Sequence, residues 1–216
     1  MTSVKICGIT NLEDALSAIK YGASYLGFIF AKESPRYIEP DKARKILDAL
    51  STTCQSVAVF KNEPQESLAQ ILTKLKPDFI QLHGDESFEY CQRFSLPIIK
   101  AIEIKDDMST EALTAQIELY RGVSKFLLFD RPKNVTVDLW LHSAIRLLNG
   151  QKSVPAFFFA GGLTADNVAF AVQSLQPTAV DVASGVESSA GKKDATKMKD
   201  FCDAVKNVSK SEARRS

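Results

Sequence analysis

Histidine and cysteine are scarce in this chain, with two of the one and four of the other among 216 residues. Cys7, Cys54, Cys91 and Cys202 include no pair at CxxC spacing, and with His83 and His142 they make no zinc signature. Reduced thiols and a cytoplasmic location are therefore expected. Long apolar runs are missing too. None approaches a membrane span, and the N-terminus lacks the apolar core of a signal peptide, so no membrane contact or secretion is expected. No charge of one sign dominates: 27 Lys and Arg stand against 26 Asp and Glu, for a formal charge of +1. That balance gives no reason to expect nucleic acid as a partner, and it leaves room for a local basic site that takes a phosphorylated metabolite. A dinucleotide-binding glycine fingerprint is lacking after the first apolar run, where Cys7-Gly8-Ile9-Thr10 stands instead.

What the chain does have is a regular series of short apolar runs. They fall at residues 4–7, 25–30, 56–60, 79–82, 97–101, 126–130, 156–160 and 179–182. Each is nearly unbroken, as strands buried on both faces of a parallel sheet are. Helical patterns fit the gaps. Asn11 can cap a helix reaching about Tyr21, and further helices are expected over 40–50, 66–75, 86–94, 110–120, 138–148, 164–172 and 194–208. Eight strand–helix units in a chain of this length predict a single-domain α/β fold, a (β/α)8 TIM barrel over residues 1–208. The polar tail 209–216 is expected to fray.

In such a barrel, residues ending the strands at the C-terminal face converge on one pocket. Cys7 ends the first strand; a lone cysteine is more often a buried core thiol. Asp130 follows four apolar residues, where a carboxylate is expected to have a raised pKa and serve as general acid; its plainer role is an N-cap or a salt bridge to Arg131. Arg36, in Ser34-Pro35-Arg36-Tyr37, offers a fork suited to a carboxylate, though a lone arginine is more often an ordinary surface residue. His83 can donate a hydrogen bond or titrate, or stand as a structural histidine at the mouth. Asp181 can orient a hydroxyl or an amine, or pair with a neighbour. Gly161-Gly162 and Ser184-Gly185 follow strands seven and eight. One glycine turn alone would merely reverse the chain, but two at adjacent strand ends favour a backbone cradle for phosphate. Cys54, Cys91 and Cys202 read as lying near helix ends and receive no role.

These residues sit in motifs that together resemble the phosphoribosylanthranilate isomerase family of tryptophan biosynthesis. The motifs are Lys5-Ile6-Cys7-Gly8-Ile9-Thr10, Gly27-Phe28-Ile29-Phe30 with Ser34-Pro35-Arg36, Gln81-Leu82-His83-Gly84-Asp85-Glu86, Phe159-Ala160-Gly161-Gly162-Leu163, and Asp181-Val182-Ala183-Ser184-Gly185-Val186-Glu187. The resemblance implies a single-domain (β/α)8 enzyme catalysing an Amadori rearrangement of N-(5-phospho-β-D-ribosyl)anthranilate without cofactor or metal. It implies Cys7 as general base, Asp130 as general acid, Arg36 on the anthranilate carboxylate, His83 and Asp181 on the substrate, and Gly161, Gly162, Ser184 and Gly185 on the phosphate. A neutral thiol is a poor base, so Cys7 must gain thiolate character; a cationic neighbour such as Lys5 would help if it points inward. The partner is then a small phosphorylated molecule, and the enzyme a monomer or homodimer.

One stretch departs from the family. Its members usually carry a longer glycine-rich loop after the sixth strand, whereas residues 131–137 here contain no glycine. An open but active site is expected, with 31–37 the segment best placed to cover it. Two other readings stay open at this stage. One is a different sugar-phosphate barrel: a metal-dependent epimerase would want convergent histidines, of which the chain has two in all, and a Schiff-base aldolase a lysine ending an inner strand, an option that Lys100 near the fifth strand end barely keeps open. The other is a ligand-binding relative without turnover, which the retained Cys7 and Asp130 argue against.

Overall fold

Along each strand, side chains alternate between two environments, and this period of two builds the molecule. In the computed structural model, which describes residues 1–50, 54–105, 107–132 and 136–213, eight parallel strands close into a barrel in sequence order. They are β1 (Ser3–Cys7), β2 (Tyr25–Ile29), β3 (Gln55–Phe60), β4 (Phe79–Leu82), β5 (Ile98–Glu103), β6 (Phe126–Asp130), β7 (Phe157–Phe159) and β8 (Ala179–Val182). The eight apolar runs thus became the eight strands.

Val4, Ile6, Leu26, Phe28, Ile80, Leu82, Leu127, Phe129, Val180 and Val182 belong to the larger apolar cluster, which the strands share with the surrounding helices. Their neighbours Cys7, Tyr25, Val57, Val59, Phe79, Ile99, Leu128, Phe158 and Ala179 form a second cluster inside the barrel. Tyr25, Phe79, Phe126 and Phe158 pack ring against ring there, with centroids 5.0–5.9 Å apart. Those rings come from the early residues of their strands, so they plug the barrel on that side. Residues of the same parity further along face the mouth at the C-terminal ends.

The helices are α1 (Leu12–Tyr21), α2 (Pro40–Ala49), α3 (Gln65–Leu75), α4 (Phe88–Cys91), α5 (Thr110–Arg121), α6 (Val137–Asn149), α7 (Val168–Leu175) and α8 (Ala195–Ala213). α1 starts as its sequence predicts: the Asn11 side chain accepts from the Asp14 N–H, and Gly22 ends the helix at φ +103°. Trp140 of α6 is fully buried, stacks on Phe159 and donates its indole N–H to the Ile104 carbonyl at 3.0 Å. That contact anchors α6 directly behind the sixth and seventh strands.

Several boundaries differ from expectation. α4 spans four residues rather than 86–94, because the Glu86 carboxylate is drawn inward to the Asn62 and Gly84 N–H groups and to Lys100. α7 begins at Val168 rather than at Thr164. Asn167 turns its side chain back to accept from the Thr164 N–H, which shapes the preceding residues as a turn. After β8 the chain makes a 3-10 turn, Ser184–Val186, then a hairpin of β9 (Glu187–Ser189) and β10 (Lys192–Lys193) that the sequence reading lacks. Cys202 lies within α8 and Cys54 at the entry to β3, not near helix ends; Cys91 does end α4. α8 continues through the expected tail as far as Ala213, and 214–216 lie outside the described residues.

Candidate active site

The C-terminal mouth holds a cavity of about 340 Å³ lined by Cys7, Arg36, His83, Asp130 and Asp181 together with both glycine turns, Gly161-Gly162 and Ser184-Gly185. The nine residues named from the sequence as candidate catalytic, substrate or phosphate ligands therefore line one cavity.

Lys5 and Cys7 stand two residues apart on the inner face of β1. Lys5 is fully buried, and its ammonium donates to Asp181 Oδ2 at 2.8 Å, across the β1–β8 pair. A Cβ at Gly27 of β2 would lie 2.7 Å from Cys7 Sγ and 3.2 Å from Lys5 Nζ, so thiol and ammonium share the space that this glycine leaves. Burial would lower the Lys5 pKa, but Asp181 and the Cys7 thiol outweigh it and hold the ammonium above its ordinary range. For Cys7 the balance runs the other way. Burial pushes the thiol up, and Lys5, which opposes this, does not overcome it. Lys5 points inward, yet its charge does not outweigh the burial that favours the neutral Cys7 thiol.

Asp130 ends β6. Its Oδ2 meets His83 Nε2 at 2.9 Å and its Oδ1 accepts from the Arg131 N–H at 2.7 Å. His83 Nδ1 in turn meets Gln81 Nε2 at 2.8 Å. With that amide orientation Nδ1 is the acceptor, and Nε2 carries the proton offered to Asp130. The raised pKa expected for Asp130 does not hold. Burial pushes upward, but the hydrogen bonds from His83 and from the Arg131 N–H, with the Arg131 charge, hold the carboxyl below its ordinary value.

Arg36 is fixed from three sides. Its stem lies where a Cβ on Gly8 would be, 2.6 Å from its Cδ, and Gly8 has φ +78°. Its fork binds the buried Glu187 through Nε at 2.8 Å and Nη2 at 2.7 Å. Lys193 Nζ reaches the same carboxylate at 2.9 Å, and Gly191 of the hairpin packs under Pro35 and Arg36. Burial would raise the Glu187 pKa, but the two cations lower it below the ordinary carboxylate value. Sequence reasoning quoted Glu187 in a motif without seeing it as the anchor of Arg36; opposite charges around the Gly191 turn were the one available signal.

Two other observations narrow the chemistry. Lys100 lies on the outward face of β5, bound to Glu86 Oε2 at 2.9 Å and the Gly84 carbonyl at 2.6 Å, so it offers no Schiff-base lysine to the mouth. His142 lies on α6 beside Phe170, away from His83, and among the described residues no group of three or more His, Cys, Asp or Glu is set to hold a metal. The segment after β2 supplies Ala31, Glu33, Ser34 and Pro35 to the cavity wall. Of the connection after β6, residues 133–135 lie outside the described residues.

Closed parallel barrel and polar C-terminal mouth together place the chain among the (β/α)8-barrel enzymes. Residues 4–204 match the family model described as N-(5'phosphoribosyl)anthranilate (PRA) isomerase. The chain is 41% identical over 217 residues to the N-(5'-phosphoribosyl)anthranilate isomerase of Pelobacter propionicus, covering 96% of this chain and 97% of that one. It is 40% identical to that of Geobacter sulfurreducens, over 93% and 97%. A crystal structure of phosphoribosyl anthranilate isomerase from Thermotoga maritima superposes with a TM-score of 0.85 at 33% identity, over 96% of this chain and all of that one. Another crystal structure of the enzyme, in complex with reduced 1-(o-carboxyphenylamino)-1-deoxyribulose 5-phosphate, matches with a TM-score of 0.80 at 33% identity. The chain belongs to the phosphoribosylanthranilate isomerase family and is an isomerase of tryptophan biosynthesis. Among the described residues no helix is long and apolar enough to cross a membrane.

Proposed function

We propose that Cys7 and Asp130 are the base and acid of the Amadori rearrangement that converts N-(5-phospho-β-D-ribosyl)anthranilate into 1-(2-carboxyphenylamino)-1-deoxy-D-ribulose 5-phosphate. The observation that carries this is their convergence on one cavity from β1 and β6, each beside a partner that sets its proton affinity. Asp130 gives a proton to the ring oxygen as the C1'–O bond breaks, leaving a Schiff base with the anthranilate nitrogen. The Cys7 thiolate then takes the C2' proton, and the electron pair moves to give a neutral enolamine, which tautomerises to the ketone. The substrate's own protonated Schiff base accepts the electron pair, so the chemistry calls for no cofactor.

The remaining residues bind. Arg36, oriented by Glu187, holds the anthranilate carboxylate. Asp181 Oδ1 is buried with no hydrogen-bond partner among the described residues, and it accepts from a ribose hydroxyl. Backbone N–H groups of the Gly161-Gly162 and Ser184-Gly185 turns hold the phosphate. His83 hydrogen-bonds Asp130 and keeps it facing the cavity. Four free cysteines fit a cytoplasmic enzyme, and a monomer or a homodimer fits a site built from one chain. The barrel is one domain that runs into α8 as far as Ala213. The test is an assay with freshly generated phosphoribosylanthranilate, following loss of anthranilate-type fluorescence in the wild type, Cys7→Ser and Asp130→Asn. Near-wild-type turnover in either variant removes that residue from the mechanism.

A further inference from the structure

A phosphate dianion held only by backbone N–H groups lacks a counter-charge, so we asked which cation at the mouth is placed to supply one. The described cations lining the cavity are Arg36, Lys61 and Arg131. Arg36 is aimed by Glu187 and is assigned to the anthranilate carboxylate. Lys61 follows β3, which stands opposite β7 in an eight-stranded ring, so it lies across the mouth from Gly162. Arg131 follows β6, next to β7, and its side chain runs along the first glycine turn. A Cβ on Gly161 would lie 2.6 Å from Arg131 Cβ, and one on Gly162 would lie 3.3 Å from Nε and 3.5 Å from Nη2. Gly161 and Gly162 have φ values of +102° and +77°, so this close approach of guanidinium to backbone depends on both glycines.

The geometry points to Arg131 as the cationic ligand of the substrate phosphate, completing the cradle of the β7 and β8 turns. This rests on the reading that the phosphate binds at those turns, and it adds a specificity residue to it. The guanidinium fork suits phosphate oxygens, and its position in the short connection after β6 brings charge to the site without a long covering loop. Its backbone N–H meanwhile binds Asp130, so one residue links the anion site to the proposed acid.

The test is calorimetric binding of two probes, the reduced 5-phosphate product analogue and its dephosphorylated counterpart, to the wild type, Arg131→Gln and Arg131→Lys. A charge-assisted hydrogen bond lost from the phosphate should weaken the phosphorylated probe by about tenfold to a hundredfold in Arg131→Gln. The dephosphorylated probe should bind as before, and Arg131→Lys should recover part of the loss. Equal weakening of both probes, or of neither, overturns the assignment. A crystal structure of the wild type with the phosphorylated probe decides the matter if Arg131→Gln does not fold. Phosphate at Gly162 with the guanidinium in contact supports the assignment. Phosphate there with Arg131 turned away overturns it and leaves the cradle standing. Phosphate elsewhere overturns both.

Discussion

Replacing Lys5 by methionine is the perturbation that most directly separates what holds the barrel together from what it does. Lys5 is fully buried, and Asp181 is 7% exposed. The ammonium is the one hydrogen-bond donor recorded on the Asp181 carboxylate, whose Oδ1 has no partner among the described residues. Methionine keeps the length of the side chain and removes the charge. It leaves a carboxylate inside the barrel with no donor on either oxygen, and breaking a buried pair in this way costs about 3–5 kcal/mol.

Urea melts followed by circular dichroism would read the loss, as would a fall in Tm of about 6–20 °C at 2–4 °C per kcal/mol for a domain of this size. The pH dependence follows from the sign of the shift. Lys5 has a folded-state pKa above its ordinary 10.5, so its contribution is fully present below that value and fades only as pH rises through the folded pKa. The gap between wild type and Lys5→Met should therefore be constant from pH 7 to 9. Adding Asp181→Leu should restore most of the stability and none of the activity, since an apolar pair of similar volume replaces a buried ion pair at little cost. A single Lys5→Met variant within about 1 kcal/mol of the wild type would refute the reasoning.

Cys7→Ser and Asp130→Asn should each stay folded and lower kcat by roughly two orders of magnitude or more, with analogue affinity much less affected; stopped assays and calorimetry check this. Glu187→Gln should raise KM about tenfold with a smaller change in kcat, because Arg36 loses the charge that aims it. A substrate lacking the anthranilate carboxyl should show no such rise. kcat/KM, which reports the free enzyme, should be flat between pH 7 and pH 9, since Cys7 titrates above its ordinary 9.0 and Asp130 below its ordinary 3.8. A rise of the thiol-titration kind inside that window would contradict it.

Strands and their order were legible because buried parallel strands write themselves as unbroken apolar runs. The candidate site was legible as a set of positions, because Cys7, Asp130 and Asp181 interrupt the apolar runs at or near the strand ends that line the mouth. What stayed illegible depends on partners far away in sequence. Glu86 reads as the first turn of a helix, but Lys100 and the Asn62 N–H claim its carboxylate, and α4 shortens. Glu187 meets Arg36 across 151 positions, a pairing that neither local pattern announces. The pKa directions were also out of reach. Apolar neighbours of Asp130 predict a raised value, and only the fold brings His83 Nε2 to 2.9 Å from it. The eventual surroundings of Cys7 depend just as much on Gly27, whose missing side chain lets thiol and ammonium share one space.

On the proposed acid–base assignment, the pKa directions put the proton on the opposite partner from the one the chemistry needs. Cys7 is a thiol and Asp130 a carboxylate, whereas ring opening wants the acid protonated and enolisation wants the thiolate. The two forms contain the same number of protons, so passing one from sulfur to carboxylate creates the active form without exchange with solvent. Its population then depends on the difference between the two pKa values and not on the pH between them, which is why a plateau is expected. The substrate shifts that difference. Its anionic groups disfavour charge on Asp130 and raise its pKa, while Lys5 remains beside Cys7 to favour the thiolate. His83 completes the arrangement, because its Nε2–H supports Asp130 while it is charged and must give way when the carboxyl is protonated. Removing His83 should therefore raise the Asp130 pKa and bring the active form closer in energy, yet loosen the orientation of the acid. The variant His83→Ala separates these effects: a gain in the protonated population moves the acid limb of the pH profile upward, and a loss of orientation lowers the plateau. An acid limb that does not move would show that His83 orients Asp130 without setting its charge.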